Sequence, residues 1–299
     1  RKDNSLVYIT EKNKKKHIPV ENVKEILVFG ETDINKKLLD FLSQKEIVLS
    51  YFNYYGYYSG SFYPREHYNS GFMILKQALT YENRKRRLAL AKKFVYGAVE
   101  NALKILEYYR RRGREEASSM IEDIQKLSTD IMAQTSVDEL MFVEGKIKQT
   151  YYAAFKHIIQ NPDFHFHTRT RRPPQDFINT LISFSNSIIY TTVLSEIYQT
   201  HLDPRIGFLH ATNSRRFSLN LDVAEIFKPV IGDRNIFSLI NKKMIDESCF
   251  EKKIKGIMLN EKGRKIFLKQ LEERLRQTIK HPGLKRNVSY RRLIRLELY

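Results

Sequence analysis

The feature that most constrains this chain is a change of periodicity near residue 70. Before it, short runs rich in β-branched and aromatic residues are separated by polar turns, which is the texture of strands. SLVYIT, HIPVENVKEILVFG and IVLSYFN supply strands. DINKKLLDFLSQKE interrupts them with one helix, its apolar residues at Ile34, Leu38, Leu39 and Leu42. YFNYYGYYSGSFYP carries eight Tyr or Phe in fourteen residues. It reads as a strand and a tight turn whose aromatics pack or form a dimer contact, in preference to stacking on bases. From Phe72 onward nearly every segment repeats its apolar residues at helical spacing. The expected fold is therefore α+β, with a small N-terminal β-rich domain over residues 1–70, a linker at 71–80 and a larger all-α C-terminal domain over 81–299.

Several helix ends are marked. Tyr81 to Arg112 reads as one long helix with a basic face, stopped near Gly113, and Glu115 to Leu127 as a second. S-V-D-E has the form of a capping box, with Ser136 as N-cap and Glu139 three residues on. Pro173 and Pro174 suit the entry of a helix running from Asp176 to about Tyr198. A further helix from about Phe217 is expected to end at Pro229.

Charge narrows the choice of partner. The chain has 299 residues and a net charge of +18. Glu251 to Tyr299 holds 15 Lys and Arg against 5 Glu, and Lys76 to Lys93 holds 7 against 1. Surfaces this basic attract polyanions, and DNA gains most through counterion release. Both segments are candidates for a DNA track. Cys249 is the single cysteine, which excludes a disulfide framework within the chain and suits a reducing cytoplasm. RKDNSLVYIT has no signal-peptide form and no apolar run reaches transmembrane length, so a cytoplasmic protein without membrane contact is expected.

The acids are the informative residues. Glu144 shares or borders the apolar face set by Leu140, Val143, Ile147 and Tyr151. An unpaired carboxylate there is costly, so a basic partner, protonation or a metal must compensate it. Gly145 beside it costs ~1 kcal/mol relative to alanine in a helix interior and suggests close approach of another backbone. In LNLDVAEIF, Asp222 and Glu225 lie three apart and face one way. His210 precedes them in a polar turn. These residues suit a hard divalent cation, Mg²⁺ or, given the imidazole, Mn²⁺. Plainer readings stand beside that one. Glu144 can pair with Lys148, the later acids with Arg215, Arg216 or Lys228, and His210 can be surface polarity. A Ser–His site using Ser214 or Ser218 lacks a nucleophile elbow, and the histidines of FHFH, 164–167, read as loop polarity.

Four segments in order, GYYSGSFYPRE, VEGKIKQTYYAAF, RTRRPPQDFINTLISFSNSIIY and GFLHATNSRRFSLNLDVAEIFKP, resemble the CRISPR-associated integrase, the endonuclease subunit of the spacer-acquisition complex. The resemblance spans nearly the whole chain. It implies a homodimer formed through the N-terminal domain, with two dimers flanking a dimer of a small ferredoxin-like CRISPR-associated partner in a heterohexamer. It implies insertion of short double-stranded DNA fragments into a CRISPR repeat by 3′-hydroxyl transesterification. Glu144, His210 and Glu225 match the family's metal ligands and Asp222 the accompanying acid; some relatives carry aspartate where Glu225 stands. Arg169, Arg171, Arg172, Arg215 and Arg216 fit phosphate contacts. The competing functions are a metal-dependent nuclease that cuts branched DNA without inserting it, and a catalytically silent DNA-binding scaffold.

Overall fold

The structure is a computed structural model. It describes the chain except residues 1–4, 10–13, 22, 65–67, 69, 172, 213–216 and 254–255, and the side chain of residue 5. The chain divides into two compact units, Arg1–His67 and Tyr68–Tyr299.

In the first unit, β1 (Ser5–Ile9) and β2 (Lys15–Pro19) form an antiparallel ribbon. A second sheet has the order β3 (Glu25–Val28), β4 (Val48–Phe52), β5 (Tyr58–Phe62). β3 and β4 are parallel and are joined through α1 (Lys36–Lys45); β4 and β5 are antiparallel. Asn35 caps α1 by accepting from Leu38 N. The core gathers Leu6, Val20, Phe41, Leu42, Ile47 and Leu49. The aromatic stretch makes the turn after β4, where Asn53 Oδ1 accepts from the N–H groups of Tyr55 and Tyr57 and Gly56 takes a positive φ of 80°. Tyr51, Tyr54 and Tyr55 are left exposed.

The second unit is mostly helical: α2 (Gly71–Glu82), α3 (Arg84–Arg110), α4 (Ala117–Thr129), α5 (Val137–Ala153), α6 (Phe155–Ile158), α7 (Phe177–Ile197), α8 (Leu219–Phe227), α9 (Arg234–Asn241), α10 (Glu261–Arg276) and α11 (Tyr290–Leu296). Two antiparallel pairs, β6 (Phe250–Lys253) with β7 (Gly256–Leu259) and β8 (Thr278–Lys280) with β9 (Asn287–Ser289), stand where an all-α region was expected. They are too short for a period of two to register. Residues 71–80, expected as a linker, form most of α2, capped by Ser70 accepting from Met73 N. The long helix expected from Tyr81 begins at Arg84 instead, because Asn83 turns the chain and caps α3 by accepting from Arg86 N.

α3 packs against α4, α5 and α8, and α7 against α8, α9, α11 and β7. α7 is, among the described residues, the one helix long and apolar enough to cross a membrane, which the sequence reading overlooked. Most of it is buried inside the protein, so its apolar circumference belongs to a core helix. Its acid, Glu196, is buried and answered by Arg295 of α11 at 2.6 Å. Pro229 does not end the chain's helical course after α8. Lys228–Asp233 form a π-helical turn that continues α8, with the proline in its first positions.

The capping box at α5 is complete: Ser136 Oγ accepts from Glu139 N, and Glu139 Oε2 accepts from Ser136 N. Ser136→Ala is expected to lower stability by about 1 kcal/mol. It should shift the urea midpoint without changing the slope; an unchanged midpoint would contradict the role of the cap.

Candidate active site

Three pieces of chain meet at the expected acids: α5 with Glu144 and Lys148, α8 with Asp222 and Glu225, and the π-helical turn with Lys228 and Asp233. The loop at 207–210 completes the set with His210.

Glu225 is 5% exposed. Its Oε2 lies 2.8 Å from Lys148 Nζ and its Oε1 2.5 Å from Lys228 Nζ. Burial would raise its pKa; the two ammonium groups outweigh burial and hold the carboxyl well below the usual carboxylate range. Lys228 is shifted upward, since Glu225 overcomes the lowering by burial, and its ammonium also lies over the Tyr190 ring at 4.7 Å. Lys148 is raised for the same balance of burial against Glu225. Its Nζ also pairs with Glu144 Oε1. One ammonium thus joins two carboxylates from helices about eighty residues apart.

Asp222 is fully buried, and its role differs from that of the glutamates. Oδ2 accepts from the N–H of Phe208 at 2.5 Å and of Leu209 at 2.9 Å, and Oδ1 from the N–H of His210 at 2.9 Å. Oδ1 also takes a hydrogen bond from His210 Nδ1 at 2.8 Å. The G-F-L-H sequence is a turn wrapped on one carboxylate. Gly207 has to be glycine there, because a Cβ would lie 2.7 Å from Ser218 C and 2.9 Å from Asp222 Oδ2. Ser218 Oγ closes the wrap, accepting from Gly207 N and donating to Arg205 O. Arg87 of α3 donates to Phe208 O, and Gln77 of α2 holds Asp203 and Ile206, so the turn is supported from its other side. With Nδ1 donating to Asp222, Nε2 of His210 keeps its lone pair for a ligand.

The glutamates converge on one point and His210 is tied to Asp222, but the two pairs are not drawn into a cluster. Among the described residues no group of three or more His, Cys, Asp or Glu side chains is arranged to hold a metal ion. The donor chemistry still suits a hard divalent cation. Glu144 and Glu225 already share the Lys148 ammonium, whose side chain is 30% exposed, while Lys228 answers Glu225 from the other side.

The sequence reading missed Tyr151 and Asp233. Tyr151 OH donates to Asp233 Oδ2 at 3.2 Å and ties α5 to the π-helical turn. Burial raises the Asp233 carboxyl to about 7, against the opposing pull of Tyr151, Lys228 and Arg169. An acid in the apolar run PVIGD is the signal that was available.

Arg169 is not the free surface cation that a phosphate contact needs. Its guanidinium donates to Asn179 Oδ1, Ser183 Oγ and Thr170 O. Asp176 caps α7 and Asn179 bonds Thr168 O, so these two residues of the R-R-P-P-x-D-x-x-N stretch build the entry to α7. Pro173 packs over Gly256 of β7, where a Cβ would lie 2.6 Å from it. Arg171 is exposed; Arg172, Arg215 and Arg216 lie outside the described residues. A Cβ at Gly145 would meet nothing within 4 Å, so among the described residues no backbone makes the approach expected there. His165 and His167 are exposed, alternating with buried Phe164 and Phe166, in keeping with loop polarity.

The family model for CRISPR associated protein Cas1 matches residues 1–273. A CRISPR-associated endonuclease Cas1 of Thermodesulfovibrio yellowstonii is 60% identical over 299 residues, which is 100% of this chain and 90% of that protein. The solved structure of a Cas1 protein from Thermotoga maritima is 46% identical with a TM-score of 0.88, covering 100% of this chain and 90% of the other. A casposase bound to its integration product shares the fold at 20% identity, with a TM-score of 0.86 over 97% of this chain and 82% of the other.

Asp233 makes stability pH-dependent. The folded protein keeps its proton up to about pH 7, whereas the ordinary value is 3.8. Between those limits the folded state binds the extra proton, so stability falls as pH rises, by roughly 4 kcal/mol in all. Urea unfolding from pH 4 to pH 8 should show this decline in the wild type and a flatter profile for Asp233→Asn. Parallel profiles would contradict the assignment.

Proposed function

The chain belongs to the CRISPR-associated Cas1 family, and from that premise we propose that it is a divalent-metal-dependent DNA endonuclease and integrase. It inserts short DNA fragments into a CRISPR repeat array. The observation that carries the reading is the convergence of Glu144 and Glu225 on the single Lys148 ammonium, with Asp222, three residues before Glu225 on the same helix, fixing the ring of His210.

In the proposed reaction the 3′-hydroxyl of the fragment attacks a phosphodiester of the repeat. One phosphorus–oxygen bond forms as another breaks, the attacking hydroxyl loses its proton, and the displaced strand leaves with a 3′-hydroxyl. One phosphodiester replaces another, so no nucleotide is consumed. Glu144, His210 and Glu225 would hold Mg²⁺ or Mn²⁺, which when bound neutralises charge on the phosphoryl oxygens and polarises the attacking or leaving oxygen. The chain's own residues prepare the place. Lys228 keeps Glu225 ionised after Lys148 moves aside. Asp222 acts through His210 by setting its tautomer and orientation, and so it is a positioning residue. Arg171 is free to meet a phosphate.

The assembly belongs to the same proposal: a homodimer through the N-terminal unit, paired with a small ferredoxin-like CRISPR-associated protein in a heterohexamer on double-stranded DNA in the cytoplasm. The exposed Tyr8, Tyr51, Tyr54 and Tyr55 support a contact there. So does the β1–β2 ribbon, since a lone two-stranded ribbon is marginal in water.

The test is strand joining. The chain and its small partner are incubated with Mg²⁺ or Mn²⁺, a labelled fragment and a plasmid carrying the repeat array. Label should join the plasmid, and Glu144→Gln, His210→Ala or a dideoxy-ended fragment should each abolish joining. Cutting that survives the dideoxy end, with no joining, would replace the integrase by a nuclease. DNA binding without either reaction would make the chain a scaffold.

A further inference from the structure

Between Glu273 and Glu297 the chain carries eight Lys and Arg and no acid. The structure sorts these eight into two sets. Four are fastened. Arg274 donates from Nε to Val230 O and from an amino nitrogen to Tyr290 OH. Arg276 pairs with Glu272, Arg291 lies near Glu196 and Glu272, and Arg295 is bonded to Glu196. The other four, Lys280, Lys285, Arg286 and Arg292, are exposed and have no ion pair among the described residues.

Three of the free cations crowd the end of the β8–β9 ribbon. Its register pairs Thr278 with Ser289, Ile279 with Val288 and Lys280 with Asn287. The turn beyond is well defined. His281 N donates to Arg286 O, Lys285 N to His281 O, and Leu284 N to His281 Nδ1, with Lys285 at a positive φ of 51°. Of the ribbon's own residues only Val288 is buried. Val288 turns one face of the pair inward beside Ile279, while Lys280, Lys285 and Arg286 stand exposed at its far end with no ion pair among the described residues.

Its root lies at the candidate active site. Arg274 stands four residues before β8, and the carbonyl it holds, Val230 O, belongs to the π-helical turn that also carries Lys228. Tyr290, immediately after β9, closes the base by bonding Gln277 O and Arg274. The ribbon is thus anchored to the segment that follows Glu225 by five residues. The family model ends at residue 273, so the ribbon lies beyond the part it matches.

We propose that the β8–β9 ribbon is a sequence-independent DNA clamp, in which Lys280, Lys285 and Arg286 grip the phosphates of duplex DNA next to the active site. The proposal rests on the DNA reading of that site. Unpaired cations at the exposed end of the ribbon complement the phosphate backbone, and its fastened root fixes where that backbone runs. Contacts of this kind add affinity and position without reading bases.

The experiment is a salt titration of binding to a labelled duplex of random sequence, from about 50 to 200 mM KCl. The samples are the wild type, a Lys280→Gln, Lys285→Gln, Arg286→Gln variant, and a control with Lys37, Lys45 and Lys126 changed to Gln. Each lost phosphate contact lowers the slope of log K against log salt by about 0.9. The ribbon variant should therefore lose between about 2 and 3 from the slope, with unchanged Tm, while the control keeps the wild-type slope. A ribbon variant that matches the wild type, or a control that falls as far, overturns the clamp while leaving the active-site reading intact. A wild type that does not bind DNA overturns both. Loss of assembly with the small partner at an unaltered DNA slope would make the ribbon a protein-docking surface and overturn the proposal.

Discussion

An ionised carboxylate buried without backbone N–H partners requires a positive charge, and the requirement of Glu225 organises the centre of this molecule. Removing one partner from a buried ion pair leaves an uncompensated charge and costs several kcal/mol. α5 must therefore approach α8 closely enough for Lys148 to reach Glu225, and the chain after α8 must turn so that Lys228 reaches it from the other side. The π-helical turn meets the second demand. It changes the phase of the residues after Phe227, aims Lys228 at Glu225, and buries Asp233 against Tyr151. The same web that stabilises the fold brings two acids to one cation.

Rigidity and freedom are divided between the two pairs of candidate residues. Asp222 accepts four hydrogen bonds and is sealed, so it fixes a backbone turn and a histidine ring. The Glu144 and Lys148 side chains are partly exposed and joined to each other at i, i+4. A divalent cation can displace an ammonium on a long flexible stem more readily than it can displace three backbone N–H groups. In the proposed reaction the fixed half would orient and the adaptable half would exchange its cation.

How much of this was legible in the sequence depends on the kind of signal. Helix starts with a capping side chain were readable, and Ser136 and Asp176 stand at the positions expected of them. Acids set on apolar faces were readable because their misplacement is local: Glu144, Asp222 and Glu225 each break a pattern that their neighbours set. Lys148 entered as the plain i+4 partner of Glu144, and its second bond, to Glu225, joins distant segments and leaves no periodic trace. The π-helical turn was hidden behind Pro229, which reads as a stop. α2 was hidden because its apolar residues surround it and its polar ones are few. Arg169 looked like a phosphate contact because residue type shows charge and does not show that Asn179 and Ser183 already hold it.

The central claim is that the point shared by Glu144 and Glu225 is a cation site in which Lys148 is the displaceable occupant. The most direct measurement is Mn²⁺ binding, followed by the loss of the free-ion paramagnetic resonance signal, for the wild type, Glu225→Gln and Lys148→Ala. The account predicts that Glu225→Gln loses binding and that Lys148→Ala binds Mn²⁺ more tightly than the wild type, because the competing ammonium is gone. Equal binding by all three proteins, or weaker binding by Lys148→Ala in a folded protein, would contradict it.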